Sequence, residues 1–305
     1  MRHDLGPYRL YQLGESAMAA QGIAVGFGIA VAALSLAASA HPQLTAAPLP
    51  LGDGKISREP VAGSVVACNA RFPGGGGAHR TGTWVRDGFW YPAEKPTVQG
   101  ADTWSPELAI RREGPWRVIR TNGLPAHATG HFPITPGTPA FAYDRNPNRL
   151  QAREVELRLP ADPVITDTAN CVPMGLIGVT VTGVALFNAF DLHGRDAAAY
   201  EIQDVCAGHP ERSGRYHYHT WSPCMVPANH PADAPVGWMI DGVPILGPRF
   251  ADGRLVTNAD LDACHGRHGP VLVDGRVEER YHYRFTAEYP YTVGCFRGAP
   301  PAAQR

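Results

Sequence analysis

The chain has 305 residues, 27 Lys plus Arg against 28 Asp plus Glu, and a formal net charge of −1. That balance leaves no basic field to hold nucleic acid, and removing residues 1–40 takes away Arg2, Arg9, Asp4 and Glu15 without changing it. The sequence contains no phosphate-binding glycine motif, no G-x-S-x-G and no H-E-x-x-H, so a nucleotide cofactor is not expected.

In chain order, residues 18–40 carry no charge and end in Ala38-Ser39-Ala40, a small-x-small triplet, with Arg2 and Arg9 upstream. This pattern predicts a signal peptide over 1–40; an uncleaved anchor is the alternative. No second apolar stretch approaches spanning length, so no membrane span is expected after cleavage. The protein is expected to be exported, to a periplasm or outside the cell. Residues 41–60, rich in Pro and Ala without periodicity, read as a linker.

Residues 61–170 read as an N-terminal β-rich part. Runs of strand type occur at 64–68, 84–91 and 116–121, and residues 154–159 alternate as a half-buried strand does. The four glycines 74–77 form a loop and need no phosphate to explain them. Residues 122–149 are dense in Pro, Gly and Asn and are expected to be mostly irregular.

Residues 171–298 are written as a tandem pseudo-repeat, with copies at about 178–224 and 237–295; residues 299–305 are a tail. Gly178 aligns with Gly237, Gly183 with Gly242, and Gly194-Arg195 with Gly253-Arg254. After a one-residue slip, Asp204, Cys206 and Gly208 align with Asp262, Cys264 and Gly266. Each copy then has an alternating run, Tyr216-His217-Tyr218-His219 or Tyr281-His282-Tyr283-Arg284, followed by a cysteine. The apolar runs around Gly183 and Gly242 have hairpin grammar. Residues 196–204 have helix propensity, and 258–263 one or two turns with Asn258 as cap. With 34 Gly and 29 Pro, the expected fold is mainly β, with short helices and much ordered loop.

The six cysteines are even in number, which in an exported chain favours disulfides. Each copy brackets its Tyr/His strand with two cysteines. The economical pairs are therefore Cys206–Cys224 and Cys264–Cys295, leaving Cys68–Cys171.

Strand alternation puts His217 and His219 on one face and Tyr216 and Tyr218 on the other, with the histidine Cβ atoms roughly 6–7 Å apart. Such a pair can converge on a metal ion, and imidazole suits Cu or Zn. His209 and His282 are candidate further ligands. Asp204, Asp262, Tyr216, Tyr218, His265, His268 and His127 are candidates for an outer shell or additional ligation. The competing reading of the histidines is structural. For Asp204 and Asp262 it is a carboxylate bonded to loop backbone. The second run ends in Arg284, so one shared site, or one live and one degenerate site, fits better than two.

Asp204-x-Cys206-x-Gly208-His209-Pro210, the Tyr216 to His219 run, Asp241-Gly242-x-Pro244-Ile245-x-Gly247-Pro248, Leu261-Asp262-x-Cys264-His265-Gly266 and Tyr281-His282-Tyr283 through Gly294-Cys295 together resemble the YHYH-domain proteins. The resemblance covers about 120–298, including the stretches 122–127 and 143–148. It implies an exported protein and brings no established activity. The sequence thus predicts a metal-binding protein with a His/Tyr-lined site near the repeat interface, able to serve a metal-dependent enzyme. The alternatives are a metal-free module binding a sugar or peptide, and a structural envelope protein. The expected partner is a metal ion or small molecule.

Overall fold

Two short apolar runs, each broken by a glycine that must turn the chain, build the centre of the molecule. The computed structural model describes residues 44–273 and 275–299; the expected signal peptide and most of the tail lie outside them. Strand β1 (Leu176–Thr180) returns through Gly183 to β2 (Ala185–Phe187). Ahead of their counterparts come β3 (Gly208–Pro210) and β4 (Tyr216–Tyr218). Strand β5 (Pro235–Met239) returns through Gly242 to β6 (Pro244–Leu246), followed by β7 (Gly266–Val273) and β8 (Arg276–Arg284). Gly183 and Gly242 have φ of 85° and 84°, the left-handed region that suits glycine. They also lie where a Cβ would collide, 2.5 Å from Thr121 Oγ1 and 2.4 Å from Pro160 O. Both tips thus rest on a second, three-stranded sheet of Leu108–Glu113, Trp116–Thr121 and Val155–Pro160.

The eight strands form one sheet in the order β3-β4-β2-β1-β5-β6-β8-β7. Its two halves have the same pairing. Outer hairpins β3/β4 and β7/β8 are antiparallel; β4 runs parallel to β2, and β8 parallel to β6. The halves join at β1/β5, where Val179 faces Trp238. Leu186 faces Tyr218 as Ile245 faces Tyr283, and Gly208 faces Tyr218 as Gly266 faces Tyr283.

One α-helix is present among the described residues, α1 (Ala197–Tyr200), shorter than the span 196–204 expected. Asp196 caps it, accepting from Ala199 N, and Glu201 already has extended φ and ψ. Beyond it, Gln203 O accepts from Val98 N, so the chain is held as a bridge and cannot continue the helix. In the second half, Asn258–Asp260 is a single 3-10 turn. Thr257, rather than Asn258, caps it: the Asp260 carboxylate accepts from Thr257 N and Oγ1 at 2.9 and 3.0 Å. The mainly β class and the three disulfides expected from the sequence are present: Cys68–Cys171, Cys206–Cys224 and Cys264–Cys295, with no free cysteine.

Residues 44–60 are not a free linker. Leu49–Pro50 pairs with Phe89–Trp90, and Ile56–Ser57 with Val65–Val66. Gly52 N donates to the buried Asp196 carboxylate at 2.9 Å; Asp53 accepts from Asp196 N and the Tyr200 hydroxyl. Proline-rich composition concealed this because the segment is anchored by two-residue strand pairings, one core leucine and a few polar contacts rather than by a periodic apolar face. One hydrophobic core then runs from Leu49, Trp84 and Trp90 to Tyr218, Tyr283 and Phe296. No helix among the described residues is long and apolar enough to cross a membrane.

At the β1/β5 joint the backbones approach so closely that a Cβ on Gly237 would lie 2.4 Å from Val179 O. Gly237→Ala is expected to destabilise the fold by about 1–3 kcal/mol, the usual cost of overpacking. Gly247→Ala, whose Cβ would meet nothing nearer than 3.8 Å, should stay within about 0.5 kcal/mol. Urea unfolding with the disulfides intact compares the two.

Candidate metal centre

Strand β4 separates two chemistries by alternation. Tyr216 and Tyr218 point into the core and are fully buried. Tyr216 donates to the Asp204 carboxylate at 2.8 and 2.9 Å, and the Tyr218 hydroxyl meets His127 Nε2 at 2.6 Å. His217, and His219 just past the strand end, lie on the other face. His209 on β3 is the cross-strand partner of His217, so the register brings a third imidazole alongside. The three are buried, and their ligating nitrogens lie within 4.8 Å of one another.

Backbone carbonyls fix how two of the rings present themselves. His217 Nδ1 lies 3.2 Å from Arg215 O, and His219 Nδ1 lies 2.5 Å from Asn188 O. A carbonyl only accepts, so each Nδ1 carries the hydrogen and each neutral ring offers its Nε2 lone pair. Those two Nε2 atoms are 3.1 Å apart.

A fourth group arrives from the end of α1. Glu201 Oε2 is 3.0 Å from His219 Nε2 and 3.4 Å from His209 Nε2. Despite this closeness, Oε2 and both nitrogens of His209 are buried without a hydrogen-bond partner of good geometry. Buried polar atoms are nearly always paired, so these orphaned atoms beside two other imidazoles point to a missing partner. An ion bound tetrahedrally at about 2.0–2.1 Å holds its ligand atoms roughly 3.3 Å apart. Separations of 3.0, 3.1 and 3.4 Å among these atoms match that spacing. The group could therefore hold a metal ion.

Its electrostatics have the same origin. Burial, reinforced by His209 and His219, pushes the His217 pKa well below the ordinary value, keeping that ring neutral. Burial also opposes a charge on His219, but the Glu201 carboxylate outweighs it and raises the pKa. Burial would raise Glu201 in turn; His209 and His219 instead hold it well below the carboxylate range. Glu201 and His219 thus favour each other's charged forms, while burial favours neutral His217.

The four groups line a cavity of about 780 Å³ whose wall includes Phe187, Asn146, Asn148 and Arg212. The Phe187 ring stacks on His217 with centroids 3.9 Å apart. Gly76 and Gly77 of the glycine loop also line it.

The remaining candidates lie elsewhere. His282 does not join the cluster: it sits in the other half of the sheet, with Nε2 3.3 Å from Arg284 Nε. His265 is buried against Thr286 Oγ1 at 3.0 Å, and burial lowers its pKa to about 3. His268, exposed on β7, meets the edge of Tyr281. His127 lies near Cys206 and Cys224, but those sulfurs are joined in a disulfide and offer no thiolate. Asp204 and Asp262 orient no histidine. Asp204 accepts from the backbone of Cys206 and Gly208, and Asp262 from that of Cys264 and Gly266. Tyr216 and Tyr218 face the core, so the cavity is not Tyr-lined. Nor is it at the joint of the halves, since β3 is an edge strand of the sheet.

Glu201 was not among the residues singled out from sequence. Its one signal is an ionisable residue directly after an alanine-rich turn whose neighbours are all buried.

Residues 156–254 match the family model described as YHYH protein. The chain carries a YHYH domain. Glu201, His209, His217 and His219 all fall within the matched stretch, which ends before β7 and β8. No curated protein and no solved structure matches the chain.

The Glu201–His219 pair has a defined pH signature in metal-free protein. With its pKa raised above 6.5, His219 contributes stability in full below that value and loses it as pH rises through the raised pKa. With its pKa depressed below 4.5, Glu201 contributes stability above that value and loses it as pH falls through the depressed pKa. The pair should stabilise the fold most between about pH 4.5 and 6.5. Imidazole NMR titration should find His219 above its ordinary pKa, and Glu201→Gln should bring it down.

Proposed function

We propose that this is an exported metal-binding protein in which His209, His217, His219 and Glu201 hold one Zn or Cu ion at the wall of a ligand-sized cavity. The observation that carries this reading is the grouping of three buried imidazoles, with a Glu201 oxygen 3.0 and 3.4 Å from two of them and otherwise without a hydrogen-bond partner. Two rings have their tautomer set by backbone carbonyls, as metal-ligating histidines commonly do. Three imidazoles with one carboxylate suit Zn or Cu better than Mg or Ca. Export is supported by six cysteines all committed to disulfides, which persist in oxidising compartments.

A bound ion would supply Lewis acidity to a molecule in the cavity. The chain's own groups would do the rest. Phe187 offers an apolar wall, Asn146 and Asn148 polar contacts, and Arg212 a positive charge for the bound molecule. Glu201, kept ionised by His209 and His219, would supply a negative charge to the ion.

Zn(II) and Cu(II) titrated into chelator-treated protein should each reveal whether one ion per chain binds. The expected result is stoichiometric binding near neutral pH, lost below about pH 6 as the imidazoles protonate. Replacing His217 and His219 together by Ala should weaken it on the order of a hundredfold or more, while His282→Ala should bind as the parent does. Equal, weak binding by the parent and the double variant would reject the metal reading. In that case the cavity would stand as a metal-free binding pocket.

A further inference from the structure

The second half of the sheet has a cavity at the place where the first half has its histidines, and its chemistry is different. The cross-strand pair His209–His217 is matched by Arg267–His282. Arg284 follows Tyr283 as His219 follows Tyr218. Two guanidinium groups thus stand where the first half has the imidazoles of His209 and His219, around His282 at the place of His217.

Arg284 is only 3% exposed. Its Nη1 donates to the carbonyls of Ala232, Gly247 and Arg249 at 3.1, 3.1 and 3.0 Å, and its Nε lies 3.3 Å from His282 Nε2. Nη2 bonds no described residue. Arg267, half-buried, donates from Nε to His268 O at 3.2 Å. Among the described residues, neither arginine has a carboxylate at ion-pair distance. Arg254 differs, because Asp260 pairs with it at 3.0 Å. The three guanidinium carbons lie 4.4, 4.9 and 5.2 Å from the Phe250 ring centroid, in the order Arg254, Arg267, Arg284.

These groups surround a cavity of about 410 Å³. Asp233 and Asp252 also line it. Asp252 spends Oδ1 on Arg254 N, and Asp233 forms no ion pair with Arg267 or Arg284. A guanidinium held this deep on carbonyls, with a second one beside it, is only partly compensated by the nearby charge of Asp233. Burial and Arg267 lower the pKa of Arg284 to about 10, and burial, Arg284 and Arg267 lower that of His282 to about 4. His282 is therefore neutral, and the positive charge of the pocket belongs to the arginines. A planar guanidinium fork recognises carboxylate and phosphate oxygens by paired hydrogen bonds.

We propose that this second cavity binds an anionic small molecule through a phosphate or carboxylate group held between Arg267 and Arg284, with Phe250 as its apolar wall. The site is separate from the histidine cluster and does not depend on a metal there.

The test uses the full chain, freed of metal by chelation so that no anion is carried by an ion at the histidines. Inorganic phosphate and succinate are titrated in turn by calorimetry at physiological salt. Saturable binding of one equivalent is expected for at least one of them; which one responds tells a phosphate pocket from a carboxylate pocket. Arg267→Ala, on the partly exposed strand face, should weaken binding tenfold or more. Arg267→Gln should do the same and guards against a folding defect in the first variant. Replacing His217 and His219 by Ala should leave anion affinity unchanged. Failure of both probes to saturate, or equal affinity of the parent and both Arg267 variants, would overturn the proposal.

Discussion

The buried carboxylate of Asp204 fixes the geometry on which the histidine cluster depends. It accepts from Cys206 N, Gly208 N, Gly130 N and the Tyr216 hydroxyl. It thereby joins the loop before β3, the strand β4 and the irregular segment around residue 130. Desolvation raises its pKa, and these neutral donors oppose the rise. Hydrogen bonds to a charged group are each worth roughly 1.5–3 kcal/mol. The set is therefore able to hold β3 against β4 in one register. A one-residue slip of β4 along β3 would turn His217 and His219 inward and both tyrosines out, away from His209. The neighbouring Cys206–Cys224 disulfide closes the same loop covalently.

The second half is built on the same device. Tyr281 donates to Asp262 at 2.9 Å, and Asp262 accepts from Cys264 N and Gly266 N. Another carboxylate, Asp241, accepts from Tyr283 and from Gly298 N. Its counterpart in the first half is Thr182, so Tyr218 there turns to His127 instead. The tyrosine face of each half is thus a structural layer, its hydroxyls satisfied by carboxylates and by His127. The opposite faces differ: imidazoles stand on one half and guanidinium groups on the other. The positions shared by both segments carry the fold, and the positions that differ line the two cavities.

This inverts the natural reading of the sequence. Asp204 and Asp262 stand out because they recur, yet each serves loop backbone. Arg284 looks like the loss of a ligand, yet it makes its own cavity wall. Glu201 drew no notice because it has no motif, being brought to the histidines only by the end of α1. Lys95 is a comparable case. It is buried with Nζ on Ala198 O and Gln203 Oε1, and burial lowers its pKa to about 7. It braces the helix that carries Glu201 from a distant part of the chain.

The sequence by itself determined what depends on local spacing. The glycines at 183 and 242 required left-handed turns and so gave the two hairpins. Alternation in the Tyr-His run separated a core face from a site face. The bracketing of that run by cysteines gave the disulfide pairs, and the YHYH resemblance was legible from the motifs. Tertiary structure decided the rest, because it depends on contacts between residues far apart in the chain. It docked residues 44–60 through Gly52 and Asp53, and shortened α1 by pairing Gln203 with Val98. It brought Glu201 to the histidines and sent His282 to the other half of the sheet. A two-residue period says which side a side chain faces; only the strand order says what it meets there.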